Sequence, residues 1–429
     1  MNYLVVGYNI SGKSASKLLK QKGHKVYVYD SGENSKNIVK GDGFVCVKEL
    51  DKSLLNTIDV CVVSPSIKPN SDLIKTIKNA GIKVIGELEL GFQNFGGKLY
   101  AITGTNGKTT ATALLSHLFG TKAPAVGNIG DPISSHTTAK RLVCEVSSFQ
   151  LTSIERFRPN IAGITYIGCD HIDYHGSIDE YINAKYNIAQ NMKKNDKLVV
   201  NARDKESMKL TLYAKCKVWT FSSSGKCRGA YVENEKIYFI KRNKPQYIMD
   251  TKDIKLIGKH NLENVLMVVT MARLAGLSPK VIRSRVSTFY GLPHRLKKVA
   301  CIDGVTYIND SKATNISATQ VAVESVKDNI ILLLGGSDKG YEYDVLIKDL
   351  NVKKVIAFGG IKDKLENTFA RCNFQNYLVA DNLASAVTLA KTIAKNGDNV
   401  LLSPASASHD EFENYEQRGN AFEKYVFDK

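Results

Sequence analysis

The segment 98–110, KLYAITGTNGKTT, decides how the central part of this chain folds. Its apolar start has the character of a buried strand, and Gly104 and Gly107 then lead through Lys108 into the helix-like run ATALLSHLF. A strand, a glycine loop and a helix in this order offer backbone N–H groups and a helix amino terminus to a phosphate. The spacing therefore predicts a nucleotide site, although the full pattern G-x-x-x-x-G-K-[ST] would place a glycine at Ile102.

Strand-like and helix-like segments alternate on the amino-terminal side of this loop. The run YLVVG at 3–7, a helix over about 12–22 and the run KVYVYD at 25–30 form the repeating unit of a parallel sheet. Further strand-like runs at 58–67 and 81–90 continue the pattern. The sequence therefore predicts a Rossmann-like sheet in this part of the chain.

The remainder of the chain also has an α/β pattern. Short strand-like pieces between about 211 and 258 predict a small β appendage, and 260–276 predicts an amphipathic helix that ends at Gly276. A linker over 289–299 then precedes four more apolar runs, which predict a second Rossmann-like sheet. We expect an α/β protein of three domains, the central one like a P-loop ATPase with a parallel sheet, with the boundaries 1–93, 94–291 and 292–429.

The composition of the 429 residues is typical of a globular protein. Apolar runs such as IILLL at 330–334 are too short to span a membrane, and the opening residues lack the basic region of a signal peptide. The eight cysteines include no C-x-x-C pair, which favours reduced thiols over a disulfide framework or a zinc site. We therefore expect a cytoplasmic protein without membrane insertion.

The formal net charge of +17 raises the question of a nucleic-acid partner. The lysines are dispersed along the whole chain, and no RNP, zinc-finger or helix-turn-helix pattern accompanies them. A lysine-rich surface in contact with water, which also attracts small anionic substrates, explains the charge. We predict no nucleic-acid partner.

Several polar residues follow strands of the central part. Glu145 ends an apolar run, at the sheet edge where parallel sheets bind ligands, and could serve a metal ion beside the glycine loop. Ser177 and Glu180 form the pattern S-x-x-E, which predicts a helix that starts there and runs through Lys185. Residues 170–175 then lie in a loop, and one of its two histidines, His171 or His175, suits an oxygen-rich Mg²⁺ site better than the pair suits a zinc site.

Three other polar segments attract attention. In GYNISG at 7–12, Asn9 replaces the middle glycine of a dinucleotide fingerprint, which disfavours NAD. Asn261 and Asn264 lie three apart in a predicted helix and could either pair with an adenine edge or cap the helix start. The run NDSKATN at 309–315 concentrates hydroxyl, amide and amine groups after a strand, which favours recognition of an anionic ligand.

Together these motifs resemble the Mur ligases, the ATP-dependent amide-forming enzymes of peptidoglycan synthesis, and within them the branch that adds D-glutamate. The resemblance spans the whole chain. Two motifs, NDSKATN at 309–315 and the tail at 401–419, are the most specific to that branch. The matching motifs are GTNGKTT (104–110), GNIG (127–130), EVSSFQL (145–151), DHIDYH (170–175), AK (184–185), HNLEN (260–264), LPHR (292–295), NDSKATN (309–315) and LLSPASASHDEFENYEQRG (401–419).

The resemblance implies a reaction and its ligands. ATP would phosphorylate the L-alanine carboxylate of UDP-N-acetylmuramoyl-L-alanine, and the amine of D-glutamate would attack the resulting acyl phosphate. It also implies two Mg²⁺ ions, a carbamylated Lys185, a UDP-binding amino-terminal domain, a monomer, and domains that close around the linker. The catalytic residues would be Lys108, Glu145, His171 and Lys185, and the metal ligands Thr109, Glu145, His171 and Lys185.

The binding residues follow from the same resemblance. Those for ATP would be Gly104, Thr105, Asn106, Gly107, Lys108, Thr109, Thr110, Asn261 and Arg295. Those for the two substrates would be Ile10, Ser11, Asp30, Ser31, Ser66 and Asn128 for the UDP-linked substrate, and Lys312, Thr314, Lys339, Ser408 and Tyr415 for D-glutamate.

Three alternatives stay open at this stage. A sister Mur ligase or a folylpolyglutamate synthetase would share the central loop and differ in the third domain. A basic, nucleotide-dependent nucleic-acid binder would instead show salt-sensitive binding to duplex DNA.

Overall fold

The computed structural model describes residues 1–32, 35–241 and 244–428 of the chain. The chain divides into two compact units. The first comprises Met1–Asp253 and Glu263–Val286, and the second comprises Ile254–Leu262 and Ser287–Lys429. The predicted three-domain boundaries stay a prediction.

The amino-terminal part of the first unit contains a parallel five-stranded sheet of strand order β3-β2-β1-β4-β5. Its central strands are continuous apolar runs because helices cover both faces of a parallel sheet. The run 81–90, predicted as one strand, instead divides into β5 and α5. The elements are β1 (Asn2–Val6), α1 (Ile10–Gln21), β2 (Lys25–Tyr29), α2 (Ser35–Gly41), β3 (Val45–Val47), α3 (Lys52–Leu55), β4 (Val60–Val63), α4 (Asp72–Asn79), β5 (Lys83–Gly86) and α5 (Glu87–Gln93).

The central sheet of the first unit has six parallel strands in the order β11-β10-β9-β6-β8-β7. Its elements are β6 (Lys98–Thr103), α6 (Lys108–Phe119), β7 (Ala125–Gly127), β8 (Arg141–Glu145), α7 (Ser148–Leu151), β9 (Ile161–Ile164), α8 (Ile172–His175), α9 (Ile178–Tyr186), β10 (Lys197–Asn201), α10 (Lys205–Thr211) and β11 (Lys217–Phe221).

The predicted β appendage is only partly correct. Strand β11, with the buried Trp219, pairs in parallel with β10 and so extends the central sheet. The remaining pieces form a separate antiparallel sheet of β12 (Ala230–Glu233), β13 (Lys236–Lys241) and β14 (Lys244–Asp250).

Two helices follow this small sheet, α11 (Lys259–Leu274) and α12 (Pro279–Val286). Helix α11 matches the helix predicted at 260–276, and Gly276 follows it with a φ of 98°. It is not amphipathic, however, because all of 265–272 is buried. A helix that is apolar on every side lies inside a core rather than on a surface.

The second unit contains a six-stranded sheet of strand order β15-β16-β20-β17-β18-β19. The sheet is mixed, because the edge strand β15 pairs antiparallel with β16 while the other strands are parallel. Its elements are β15 (Lys297–Ile302), β16 (Val305–Asn309), α13 (Ile316–Val326), β17 (Ile330–Gly335), α14 (Asp344–Lys348), β18 (Lys354–Phe358), α15 (Lys362–Arg371), β19 (Tyr377–Val379), α16 (Leu383–Ile393), β20 (Asn399–Leu402) and α17 (Tyr415–Phe427).

The α/β fold class with sheets in all three predicted parts is confirmed by these elements. Across the described ranges, no helix has both the length and the apolar character needed to cross a bilayer.

Candidate functional site

The loop between β6 and α6 adopts a backbone that demands its two glycines. Gly104 has a φ of 141° and Gly107 a φ of 82°, both in the region that side chains disfavour. A Cβ atom would collide with the Thr165 hydroxyl at the first position and with the Asn264 amide at the second. The short G-T-N-G-K-T-T sequence therefore builds a complete turn, with Gly107 immediately before the amino terminus of α6.

Two lysine side chains meet at this loop. The Lys108 Nζ donates to the carbonyl oxygens of Gly104 at 3.0 Å and Thr105 at 2.9 Å. The Lys185 Nζ donates to the same Gly104 oxygen at 2.7 Å. Lys185 reaches the loop because α9 places it one turn after Tyr181, whose hydroxyl lies 2.9 Å from the Thr105 hydroxyl.

Burial changes the protonation of Lys185. The side chain is almost fully enclosed, with 1% of the residue exposed. This burial, followed by the charge of Lys108, lowers the pKa of the Lys185 amine to about 7, against an opposing effect of Asp170. A substantial fraction of the amine is therefore neutral near pH 7, and the neutral amine is the form that adds to CO₂.

Glu145 lies next to the loop at the end of β8, in register with Ile102 of β6. Its Oε1 accepts a hydrogen bond of 2.8 Å from the Asn128 amide. Its Oε2 is buried and has no hydrogen-bond partner among the residues that the structure describes. A buried carboxylate oxygen of this kind is costly unless it binds a donor or a cation, so the position fits a ligand of Mg²⁺.

His171 borders the same region. It has a φ of 50° and precedes α8, and its ring lies 4.8 Å from the Phe149 ring and 6.2 Å from the Tyr181 ring. The prediction of a loop over 170–175 is wrong for 172–175, which form the single turn α8. The prediction of a helix start at Ser177 is confirmed, since the Ser177 hydroxyl accepts from the Glu180 N–H.

The predicted metal site does not contain a dense cluster of acidic residues. Among the described residues, no group of three or more His, Cys, Asp or Glu side chains is arranged to hold a metal ion. Only Glu145 and His171 of the four predicted ligands belong to those residue types. The remaining ligands would have to be the Thr109 hydroxyl, the modified Lys185 and phosphate oxygens, so the assignment stays a prediction.

The residues predicted for the UDP-linked substrate lie after neighbouring strands of the first sheet. Ile10 and Ser11 follow β1, Asp30 and Ser31 follow β2, and Ser66 follows β4. The strand order reverses between β1 and β4, and parallel sheets bind ligands at such a reversal. The Asp30 carboxylate accepts from the backbone N–H groups of Tyr8 (2.6 Å) and Gly32 (2.8 Å) and so shapes this edge.

The residues predicted for D-glutamate come together in the second unit. The Lys312 Nζ donates to the Tyr415 hydroxyl at 2.9 Å, and the Lys339 Nζ donates to the Thr314 carbonyl at 3.3 Å. Ser408 is buried in the segment that follows β20. The structure thus gathers side chains that are about 100 residues apart in the chain.

Arg418 holds this arrangement together and was missed by sequence reasoning, although it lies in the matching tail motif. Its buried guanidinium donates to the Ser311 hydroxyl (3.0 Å) and to the carbonyls of Ser311 (2.9 Å), Ser406 (3.0 Å) and Ala407 (2.9 Å). Burial lowers its pKa to about 10, an effect that Asp410 and Glu411 oppose. Arg418 therefore positions the neighbours of both Lys312 and Ser408.

The two ATP residues predicted outside the central loop, Asn261 and Arg295, belong to the second unit. The Asn261 amide donates to the Ile257 carbonyl at 2.7 Å. Burial raises the pKa of the Asp310 carboxyl and of the Tyr415 hydroxyl, and the charge of Arg295 opposes this effect at both. Asn264, for which the sequence left two interpretations open, instead contacts the glycine loop at Gly107 in the first unit.

Asp310 is a buried carboxyl of the second unit, and its ionisation affects the stability of the fold. Burial raises the pKa of its carboxyl to about 7, although the Ser403 hydroxyl (2.9 Å) and the Leu296 N–H (3.1 Å) donate to it. The native state then binds more protons than the unfolded state between about pH 4 and pH 7, so this carboxyl destabilises the fold as pH rises through that window.

We expect Asp310→Asn to remove this pH dependence. The variant should gain unfolding free energy relative to the parent at pH 8 by about 1–3 kcal/mol, and the gain should shrink toward pH 5. Urea unfolding at both pH values, with the exposed Asp328→Asn as a control, measures the effect. An equal change in unfolding free energy at the two pH values would contradict it.

Three family models match consecutive parts of the chain. "Mur ligase MurD-like, N-terminal domain" covers 1–86, "Mur ligase middle domain" covers 102–272, and "Mur ligase, glutamate ligase domain" covers 294–406.

Curated relatives are similar over nearly the whole chain. The UDP-N-acetylmuramoylalanine–D-glutamate ligase of Thermoanaerobacter pseudethanolicus is 37% identical over 99% of this chain and 97% of its own length. The enzyme of the same name from Streptococcus uberis is 38% identical over 98% of this chain and 95% of its own length.

Solved structures share the fold at lower identity. MurC from Thermotoga maritima, described as a UDP-N-acetylmuramate-alanine ligase, has a TM-score of 0.58 and 18% identity over 99% of this chain and 98% of that one. MurF ligase from Thermotoga maritima, in complex with ADP, has a TM-score of 0.60 and 15% identity over 94% of this chain and 95% of that one. The curated relatives at 37% and 38% identity over nearly the whole chain and the three consecutive family matches show that the chain belongs to the Mur ligase family.

Proposed function

We infer that this chain is an ATP-dependent ligase that joins D-glutamate to UDP-N-acetylmuramoyl-L-alanine during the synthesis of peptidoglycan precursors. The observation that supports it most strongly is the 37% identity, over 99% of the chain, to a relative that carries this activity in its name. The glycine loop and the buried lysine beside it agree with a reaction that begins on a nucleotide triphosphate.

The chemistry requires that one oxygen of the L-alanine carboxylate become part of a good leaving group. Transfer of the γ-phosphoryl group of ATP to the L-alanine carboxylate forms an acyl phosphate and ADP. The amine of D-glutamate then attacks the acyl carbon, and the tetrahedral intermediate collapses to the amide and phosphate. Phosphoryl transfer needs positioning and charge neutralisation, which the loop N–H groups, Lys108 and the amino terminus of α6 supply.

Mg²⁺ would neutralise the phosphate charge when bound. We propose that the Thr109 hydroxyl, Glu145, His171 and a carbamate on Lys185 hold the two ions. The unpartnered Oε2 of Glu145 and the lowered pKa of the Lys185 amine support this assignment. Carbamylation converts the buried cation into an anion, which relieves the repulsion between Lys185 and Lys108.

The substrates would occupy the ligand edges of two different sheets. We propose that the UDP-linked substrate lies at the β1–β4 edge beside Ile10, Ser11, Asp30, Ser31 and Ser66, with Asn128 as a further contact. D-Glutamate would bind Lys312, Thr314, Lys339, Ser408 and Tyr415, whose two amines suit its two carboxylates. We also propose a monomer that works in the cytoplasm, in keeping with eight cysteines that form no disulfide.

A panel of amino acids tests the proposed function. Purified protein is incubated with ATP, Mg²⁺, UDP-N-acetylmuramoyl-L-alanine and one radiolabelled amino acid, and ADP release and labelled product are measured. We expect incorporation of D-glutamate at least about a hundredfold faster than of L-glutamate, L-alanine or a diamino acid. Preferential incorporation of L-alanine or a diamino acid would identify a sister ligase instead.

A further inference from the structure

The amino-terminal edge of the central sheet, opposite the edge that carries the glycine loop, concentrates positive charge. The six turns that lead into β6–β11 form this basic edge. Backbone hydrogen bonds join neighbouring turns, from Lys98 N–H to the Lys140 carbonyl and from Lys217 N–H to the Asp196 carbonyl. The cations of the basic edge are Lys98, Lys122, Lys140, Arg141, Arg156, Arg158, Lys193, Lys194, Lys197, Lys215 and Lys217.

Acidic residues do not balance these cations. Glu155 and Asp196 lie in these turns and already form ion pairs, Glu155 with Lys83 at 2.5 Å and Asp196 with Arg158 at 3.2 Å. A further carboxylate, the buried Glu89 of α5, accepts from the N–H groups of residues 155–157. Most of the cations are exposed to solvent. The net charge of the edge is therefore strongly positive, although the lysines are dispersed along the sequence.

Like charges even face one another across adjacent strands. Lys98 is in register with Arg141, and Lys197 is in register with Lys217. Cross-strand pairs of like charge destabilise a sheet. The pKa of Lys197 is lowered first by burial and then by the charges of Lys217 and Lys241, against an opposing effect of Asp196. An anionic partner would relieve this repulsion.

Two features of the basic edge indicate which class of anionic partner binds there. Leu212 and Tyr213, just after α10, are 78% and 76% exposed, and they lie at this edge because α10 runs back to the start of β11. They line one cleft with Lys209 and Lys215 and also with the carboxylates Asp179 and Glu206. Between Lys98 and Lys140 lies a cleft of about 450 Å³ that Thr137 and Thr138 also line. Protruding apolar and aromatic residues within a lysine cluster are typical of peripheral membrane surfaces.

A nucleic-acid site would need features besides positive charge. Recognition of single strands needs several aromatic platforms in a groove, and bidentate phosphate contacts favour arginine. The basic edge has mostly lysines, and an exposed leucine gains nothing from a nucleic acid.

We propose that the basic edge is a peripheral docking surface for a bilayer of anionic phospholipids, with Leu212 and Tyr213 entering the headgroup region. This inference does not depend on the ligase reaction.

Vesicle sedimentation tests the proposal with the full-length protein. We expect binding to vesicles of equal parts phosphatidylglycerol and phosphatidylcholine, no binding to phosphatidylcholine alone, and loss of binding at about 0.5 M NaCl. An edge variant should reduce the partition coefficient about a hundredfold or more, since each lysine near an anionic surface contributes separately. This variant carries Lys193→Ala, Lys194→Ala, Lys215→Ala and Lys217→Ala.

A matched control removes the same charge from exposed positions on the helices and loops around the amino-terminal sheet. It carries Lys40→Ala, Lys48→Ala, Lys52→Ala and Lys78→Ala. We expect at most a few-fold loss of vesicle binding in this control. A third variant, Leu212→Ser with Tyr213→Ser, should bind several-fold more weakly while keeping the salt dependence, because only the apolar contribution is removed.

Circular dichroism and thermal unfolding confirm that each variant is folded before it is compared. An equal loss in the edge variant and the matched control would show that total charge, not the basic edge, attracts lipid, and would overturn the proposal. Absence of vesicle binding at low salt would do the same. Salt-sensitive binding to duplex DNA without vesicle binding would reassign the basic edge to nucleic acid.

Discussion

Lys108→Ala is expected to reduce ADP release by about a thousandfold or more without unfolding the protein. The Lys108 amine already lies at the loop, 3.0 Å from the Gly104 carbonyl oxygen and 2.9 Å from that of Thr105, so its charge is close to the phosphates that the loop would bind. Removing it leaves phosphate charge uncompensated in the transition state. The loop itself should persist, since Gly104 and Gly107 set its backbone.

A coupled assay of ADP release, with thermal unfolding in parallel, measures this expectation. Lys122→Ala is the matched control, because Lys122 is exposed just beyond the other end of α6. The control should retain the parent rate. A normal turnover number for Lys108→Ala would rule out this loop as the ATP site.

Lys185→Ala is expected to abolish ligation almost completely and to resist rescue by bicarbonate. The variant has no amine to carbamylate, so raising the CO₂ supply cannot restore the missing anion. A short-chain carboxylic acid should restore part of the activity, because it places a carboxylate in the space that the lysine side chain vacates. Lys209→Ala, an exposed lysine in α10, should behave like the parent under both conditions.

The modification also has a readout that does not depend on activity. In the parent protein with ¹³C-bicarbonate, a carbamate carbon signal should appear and grow as pH rises from about 6 to about 8. The direction follows from the lowered pKa of the Lys185 amine, since the neutral fraction increases through pH 7. Full activity of Lys185→Ala, or a parent without a carbamate signal, would refute the proposed role.

Local sequence patterns were sufficient where the physical cause is local. The turn G-T-N-G-K-T-T is predictable because positive φ angles exclude other residues from positions 104 and 107. The start of α9 is predictable because the Ser177 hydroxyl satisfies a backbone N–H of the first turn. The strands β16, β17, β18 and β20 are predictable because their short apolar runs are buried.

Local patterns failed where the outcome depends on distant neighbours. The sequence predicts β11 as part of an appendage. In the fold it is an edge strand of the central sheet, because it pairs in parallel with β10. Helix α11 looked amphipathic, yet its surroundings bury every side. The turn α8 lies in a segment without a helical pattern. It ends at Gly176, and its Tyr174 ring packs against the Phe149 ring.

The sequence by itself determined the α/β class, the glycine loop and the membership in a ligase family, because these depend on short-range periodicity and on contiguous motifs. Only the tertiary structure decided that Lys185 reaches Gly104, that Arg418 joins Ser311 to Ser406, and that dispersed lysines assemble into one basic edge. The reason is that parallel sheets bring the ends of strands far apart in the chain to a common edge, so that charge and burial there are properties of the fold and not of any one segment.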